Sequence, residues 1–350
     1  MSGRRPTARG TAPGKIILLG EHAVVYGRPA LAAAIDRHVS VALDEGTGPA
    51  RWGSVTTLGP GGGNKETQPA VVPPSTPAPA LSGDTHPLIN DPRLDLALVR
   101  AAELFDVAPG SFAATISADL PLGVGLGSSA ALSVALVRAL ANWVETPLPL
   151  ATICRRAFEL EKIFHGFPSG IDNTVATYGG AVLFQQGREA RPLDLPAPLP
   201  LVVALGALPR ETRATVTSLR QRWEADPAPY DRIFDGIADL VQAAEDALQG
   251  ADYDRLGTLM NANQALLTHL GVSTEELDRM VACAHRHGAL GAKLTGGGGG
   301  GAVICLCPTG RERLVDAFVT AGWHAFATDL AIPQRGFHDR DCYDVHAARA

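Results

Sequence analysis

Pro121-Leu-Gly-Val-Gly-Leu-Gly-Ser-Ser-Ala-Ala131 sets three glycines, Gly123, Gly125 and Gly127, in alternation with apolar residues, then runs through two serines into a stretch of helix formers, Ala130 to Val144. Glycine tolerates positive φ and lets a ligand come close to the main chain. Ser128 and Ser129 fall where the helix opens and are suited to satisfy its free amides. A glycine loop that opens onto a helix N-terminus is an anion site, because unpaired N–H groups and the positive dipole end point the same way. The stretch predicts a phosphate cradle made by Gly123, Gly125, Leu126, Gly127, Ser128, Ser129 and Ala130. It lacks the Gly-Lys-Ser/Thr ending of a P-loop. It also lacks the acidic residue about 20 positions on that marks a dinucleotide fingerprint. Taken alone, the stretch is also compatible with a glycine-rich turn and a serine cap.

The length of 350 residues favours about two domains, and a 46% hydrophobic composition supplies apolar residues for two cores. A net charge of −6 argues against a nucleic-acid or anionic-membrane partner, which would call for a basic surface. None of the five cysteines forms a Cys-x-x-Cys pair, so a zinc knuckle or redox pair is not expected. Cys305 and Cys307 are expected on one face of a strand as reduced core thiols. No signal-type segment and no apolar run long enough for a membrane span are present, which points to the cytoplasm.

In chain order, residues 1–11 read as a disordered start. A short strand, Ile16 to Leu19, is flanked by Lys15, Glu21 and His22, which are either functional or solvated strand ends. Leu31 to Ile35 and Val39 to Leu43 read as strands. Residues 46–92, rich in glycine and proline, read as an exposed insertion. A helix is expected over Leu94 to Phe105 and an alternating strand over Phe112 to Ala118. A helix from Leu150 to His165 puts Glu161 beside its apolar face, where a carboxylate needs a cation or a salt bridge. Glu159, on the wet side, is expected to pair with Arg155. Ser169 and Asp172 have the spacing of a capping box at the next helix start. The proline-rich seam near residue 197 divides the chain into 1–197 and 198–350. Beyond it come a strand over Leu201 to Leu205, a polar turn over Pro209 to Arg213, and helices over 230–249, 252–269 and 274–287. Lys293-Leu-Thr-Gly296 then opens a run of six glycines, 296–301, between two short strands. That position suits backbone wrapping closely round a ligand better than it suits a linker.

Three blocks in this order, Ala12-Pro-Gly-Lys15 with Gly20-Glu-His22, Pro121 to Ala131, and Lys293 to Gly301, resemble the three motifs of the GHMP kinases. That family is named for galactokinase, homoserine kinase, mevalonate kinase and phosphomevalonate kinase. Gly20-Glu-His-Ala-Val-Val-Tyr-Gly27, His165 to Asn173 and Arg210-Glu-Thr-Arg213 are similar to the branch that acts on mevalonate. The resemblance implies an α+β fold in two domains: a ribosomal S5-like N-terminal domain, a ferredoxin-like C-terminal domain, and an active site in the cleft between them. It implies ATP and mevalonate as substrates, 5-phosphomevalonate as product, Mg²⁺ as cofactor, and leaves a homodimer open. On the same ground Asp172 is the catalytic base and Lys15 sits between it and the γ-phosphate. Ser129 and Glu161 ligate the metal, and Glu21, His22, Thr212, Gly296 and Gly297 line the acceptor pocket with Lys15 and Asp172. A kinase of this family for another small alcohol, phosphomevalonate or a sugar, is the alternative. A silent relative that only binds nucleotide and metabolite is a further one.

Overall fold

The computed structural model describes residues 6–46, 51–55, 57–58, 64–65, 91–108, 110–166, 168–206 and 212–330. The first sheet is built on β1 (Ala8–Leu19) and β2 (Ala30–Glu45). β1 runs antiparallel along one edge of β2. The other edge of β2 takes β6 (Phe112–Ala118) over its C-terminal half and β7 (Ala181–Phe184) over its N-terminal half. β3 (Arg51–Val55) pairs parallel to β6. β8 (Arg191–Leu193) closes the other end. β4 (Thr57–Leu58) and β5 (Asn64–Lys65) form a separate pair.

Two expectations are corrected here. The chain enters the sheet at Ala8, inside the segment read as a disordered start. Its alternation there, buried Ala8, Gly10 and Ala12 against exposed Arg9 and Thr11, is that of a half-covered strand. The two strands read in residues 31–43 are one long strand, because Asp36 to His38 carry β2 through a polar stretch without a break in its backbone. Within the region read as an insertion, β3 belongs to the sheet; the rest of 46–92 lies largely outside the described residues.

Four helices lie on this sheet's side of the chain: α1 (Pro92–Glu103), α2 (Ser128–Trp143), α3 (Leu150–His165) and α4 (Ile171–Tyr178). α2 is apolar almost all round, and such a helix is stable only when covered on every side. It packs on β1 and β2 and against α3 and α4. Arg138 on α2 donates to the carbonyls of Thr11 on β1 and Thr177 on α4, at 2.6 and 2.7 Å. Burial lowers its pKa to about 10. The guanidinium thus ties together the two elements that carry Lys15 and Asp172.

After Leu193 the chain passes to a second, antiparallel sheet in the order β10-β11-β9-β12. Its strands are β9 (Leu201–Leu205), β10 (Gly291–Thr295), β11 (Ala302–Leu306) and β12 (His324–Thr328). Between β9 and β10 come α5 (Thr212–Ala225), α6 (Pro227–Gln249), α7 (Tyr253–His269) and α8 (Glu275–Arg286). α9 (Arg311–Thr320) joins β11 to β12. The β-α-β-β-α-β succession is that of a ferredoxin-like sandwich. β9 is buried at every position because its two faces meet different cores. Leu201, Val203 and Leu205 join the core shared with the first sheet, while Val202 and Ala204 join the core under α5, α6, α8 and α9. Cys305 and Cys307 both belong to that second core and are free thiols, and burial raises the pKa of each. No described helix is long and apolar enough to cross a membrane.

Candidate active site

Gly123, Gly125 and Gly127 all adopt positive φ, at 76°, 93° and 72°. That is why the loop needs glycine at alternate positions. The serines do not cap α2 as expected. The N-cap is Gly127, which makes no side-chain cap. Ser128, inside the first turn, instead accepts the Gly123 N–H at 3.2 Å and staples the loop to the helix start. The first amides of α2 therefore keep no side-chain cap, which suits them to an anion at the positive dipole end.

Lys15 lies directly beneath this loop. Its N–H donates to the Leu126 carbonyl at 2.8 Å. A Cβ on Gly127 would stand 2.7 Å from the Lys15 Cγ, so the loop packs against the lysine stem. The stem is buried, with 4% of the side chain exposed, and its ammonium reaches Asp172 Oδ1 at 3.1 Å. Asp172 retains 31% exposure, so its carboxylate is open to a substrate hydroxyl. It sits in the first turn of α4, whose N-cap is Gly170 at φ 91°. The expected capping box with Ser169 does not form: the N-cap is Gly170, and Ser169 Oγ accepts the Ile171 N–H at 3.4 Å. Freed from capping, the Asp172 side chain is available to Lys15.

Glu161 is buried on the inward face of α3, as its spacing predicts. Two hydroxyls one turn apart on α2 hold it: Ser129 Oγ donates to Oε2 at 3.3 Å and Ser133 Oγ to Oε1 at 3.2 Å. His165, one turn after Glu161, places Nε2 at 2.9 Å from Ser129 Oγ and 3.8 Å from Glu161 Oε2. Burial raises the Glu161 pKa to about 8. The charge of Asp172 adds to the rise, while the two serine hydroxyls and Lys15 counter it. A buried carboxylate and a hydroxyl are hard oxygen donors, and a divalent cation beside them would favour the ionised Glu161, so the pair fits Mg²⁺. Among the described residues no cluster of three or more His, Cys, Asp or Glu side chains could cage a metal. Glu159 pairs with Lys162 at 2.6 Å, not with Arg155. The three-residue spacing brings Lys162 onto the same face.

Glu21 departs from the acceptor-lining role expected of it. Its side chain has no exposed surface, and its Oε1 takes a hydrogen bond from the Lys293 ammonium, itself fully buried. Its Oε2 lies 3.4 Å from Asn263 Nδ2. Burial pushes Glu21 up and Lys293 down in pKa, and each partner's opposing charge resists the change. His22 follows with φ 61° and ψ −52°, a backbone conformation that costs about 1–3 kcal/mol in a non-glycine residue. Its side chain is buried within the same turn.

The third block forms the β10–β11 connection. Gly296 and Gly298 to Gly301 all have positive φ. A Cβ on Gly298 would strike the Val272 carbonyl at 2.2 Å. Gly297 is half-buried beside them. Thr295 accepts the Ile17 N–H at 2.9 Å and donates to the Ile17 carbonyl at 3.1 Å, which joins β10 to β1. Thr212 opens α5, but its side chain, with Arg210 and Arg213, lies outside the described residues. Sequence reasoning missed Ser133, His165, Asn263, Lys293 and Thr295. Ser133 and His165 stand four residues from Ser129 and Glu161, a helical spacing that carries the signal. Lys293, alone among apolar neighbours in a strand, carries one too. Asn263 has none.

The comparisons with known proteins agree with one another. The profile of the GHMP kinases N terminal domain matches residues 96–180, and that of the GHMP kinases C terminal domain matches residues 231–324. The mevalonate kinase of Thermococcus sibiricus is 34% identical over 331 residues, covering 92% of this chain and 95% of its own. That of Methanothermobacter thermautotrophicus is 34% identical over 326 residues, covering 92% and 97%. The crystal structure of L. major mevalonate kinase in complex with R-mevalonate has a TM-score of 0.76 at 28% identity, covering 93% of this chain and 96% of its own.

Proposed function

The chain belongs to the GHMP kinase family, and on that premise we propose that it transfers the γ-phosphoryl group of ATP to the primary hydroxyl of mevalonate, giving 5-phosphomevalonate and ADP. The observation that carries this reading is the pairing of Lys15 with the half-open carboxylate of Asp172, 3.1 Å apart beneath the glycine loop.

Phosphoryl transfer asks a protein mainly for position and charge neutralisation. In this reading the loop amides after Gly123, whose own N–H goes to Ser128 Oγ, and on to Ala130 hold the ATP phosphates over the N-terminus of α2. Asp172 accepts the proton of the acceptor hydroxyl as its oxygen bonds to the γ-phosphorus. The bond from that phosphorus to the bridging oxygen breaks, and ADP leaves with the electron pair. The Lys15 ammonium lies beside the transferring group and neutralises the charge that develops there. Ser129 and Glu161 would hold Mg²⁺, which supplies charge neutralisation on the phosphate oxygens when bound. His22, Gly296 and Gly297 border the acceptor side, with Thr212 at the head of α5. The test is an ADP-release assay on the purified chain with mevalonate, phosphomevalonate and galactose as acceptors. The expected result is a kcat/KM for mevalonate far above the other two. A ratio near one, or one favouring phosphomevalonate, overturns the acceptor. No ADP release with any acceptor overturns the kinase reading.

A further inference from the structure

Lys293 and Glu21 form an ion pair in which neither side chain has exposed surface. The pair crosses between the two halves of the molecule. Glu21 follows the end of β1, and Lys293 stands in mid-β10, two residues before the threonine bonded to Ile17. Asn263 on α7 joins the same carboxylate. The Lys293 ammonium also donates to the Leu294 carbonyl at 2.6 Å. Each oxygen of the carboxylate is thus directed at a group of the C-terminal half.

Such a pair is a weak source of stability. Removing two charges from water offsets most of their attraction, and an apolar pair of similar volume is often as stable or more so. What a fully buried pair does supply is direction, since the carboxylate can point only where its donors are. Glu21 is chain neighbour to His22, whose backbone is held at φ 61°. The turn is short-bonded around it: the Ala23 N–H donates to the Glu21 carbonyl at 2.7 Å and the Val25 N–H to the His22 carbonyl at 2.9 Å. A strained residue persists where its surroundings over-determine it. On the other side, Lys293 sits three residues before the glycine connection 296–301.

We propose that Lys293 is a positioning residue for the acceptor: by anchoring Glu21 it fixes the strained His22 turn against the glycine connection and so sets the acceptor half of the cleft, leaving the nucleotide half to the loop on α2. The inference deepens the proposed function and rests on it for the identity of the acceptor. Lys293 acts in it through Glu21, and neither side chain has exposed surface with which to touch substrate.

The test compares Lys293→Met with the double variant Glu21→Gln/Lys293→Met. The single variant leaves a buried carboxylate without its cation; the double variant removes that defect and keeps a side-chain amide at position 21 for Asn263. Wild-type turnover of mevalonate tests the functional reading by itself. The inference is read from the variant-to-wild-type change in KM, on whichever acceptor the wild type uses. Lys293→Met is expected to lower the melting temperature and to raise the acceptor KM by about 10-fold or more, since a displacement of about 1 Å can cost about 100-fold. The KM for ATP should stay within about twofold in both variants, since the loop on α2 is untouched. The double variant is expected to recover the melting temperature and not the acceptor KM. If acceptor KM recovers together with the melting temperature, the pair is merely structural and the proposal fails. It also fails if the KM for ATP rises as much as that for the acceptor. Should Lys293→Met not fold, the double variant alone decides: a raised acceptor KM with unchanged ATP KM supports the proposal, and an unchanged acceptor KM overturns it.

Discussion

Replacing Gly127 with alanine separates two roles that one residue combines. The backbone there is left-handed, at φ 72°, and an L side chain in that region costs about 1–2 kcal/mol. The added Cβ also stands 2.7 Å from Lys15 Cγ and 3.3 Å from Cε. Carbon atoms settle at about 3.5–4.0 Å, so the lysine stem has to retreat by about 1 Å. Little room exists for that, because the Lys15 N–H is bonded to the Leu126 carbonyl and the stem is buried. A retreat of that size draws the ammonium away from Asp172 Oδ1, now at 3.1 Å. A misplacement of about 1 Å in a reacting assembly can cost about 100-fold in rate. Gly187 supplies the control, with φ 78° and nothing within 4 Å of its would-be Cβ. Both variants should melt a few degrees below wild type, as about 1–2 kcal/mol implies for a chain of this size. Only Gly127→Ala should lose about 100-fold in kcat, measured by ADP release at saturating ATP and mevalonate. If Gly127→Ala keeps kcat within about threefold of wild type while melting like Gly187→Ala, the contact between loop and lysine does not set the catalytic geometry.

Asp172→Asn should lower kcat by about 10²- to 10⁴-fold with the Kd for ATP unchanged, since it removes the base and leaves the phosphate loop intact; near-normal turnover would reduce Asp172 to a helix-start acid. Glu161→Gln should raise the Mg²⁺ concentration needed for half-maximal activity, whereas Glu159→Gln, which loses only a surface pair with Lys162, should not; equal titrations of the two would remove Glu161 from the metal site. In the metal-free, nucleotide-free protein, burial raises the Glu161 pKa from 4.5 to about 8, so between those values the folded state holds a proton that the unfolded state has released. Stability from that proton is present below the lower value and falls as pH rises through about 8, and Glu161→Gln should flatten the fall seen in melting temperature between about pH 5 and 8; parallel wild-type and variant curves would refute the burial-driven shift.

Local chemistry made much of the molecule legible in the sequence. The alternating glycines at 123, 125 and 127 require positive φ whatever surrounds them, so they announced a loop able to approach phosphate. Helical periodicity separated Glu161 from Glu159, because side chains four apart share a face in any α-helix. Alternation over Phe112 to Ala118 and the apolar run over Leu201 to Leu205 marked strands with the bounds later observed. The order of the three glycine-bearing blocks pointed to the family before any fold was in hand.

Only the tertiary structure decided which groups meet. Lys15 and Asp172 are separated by most of the first half of the chain, and their contact depends on α4 lying against β1, which no local spacing encodes. The partner of Glu21 depends on the second sheet docking β10 against the end of β1. That docking turned an expected acceptor-lining acid into one member of a buried pair. Cap chemistry was misread at Ser128 and Ser169 for the same reason. Propensity describes what a serine can do at the cap position, while the glycines before each helix already take that position, which leaves Ser128 to the Gly123 N–H and Ser169 to the Ile171 N–H. Interactions within a turn or a helical repeat are fixed by covalent neighbours and so are written in the order of residues. Interactions between elements are selected by the packing of two cores against a shared sheet, and they exist only once that packing is complete.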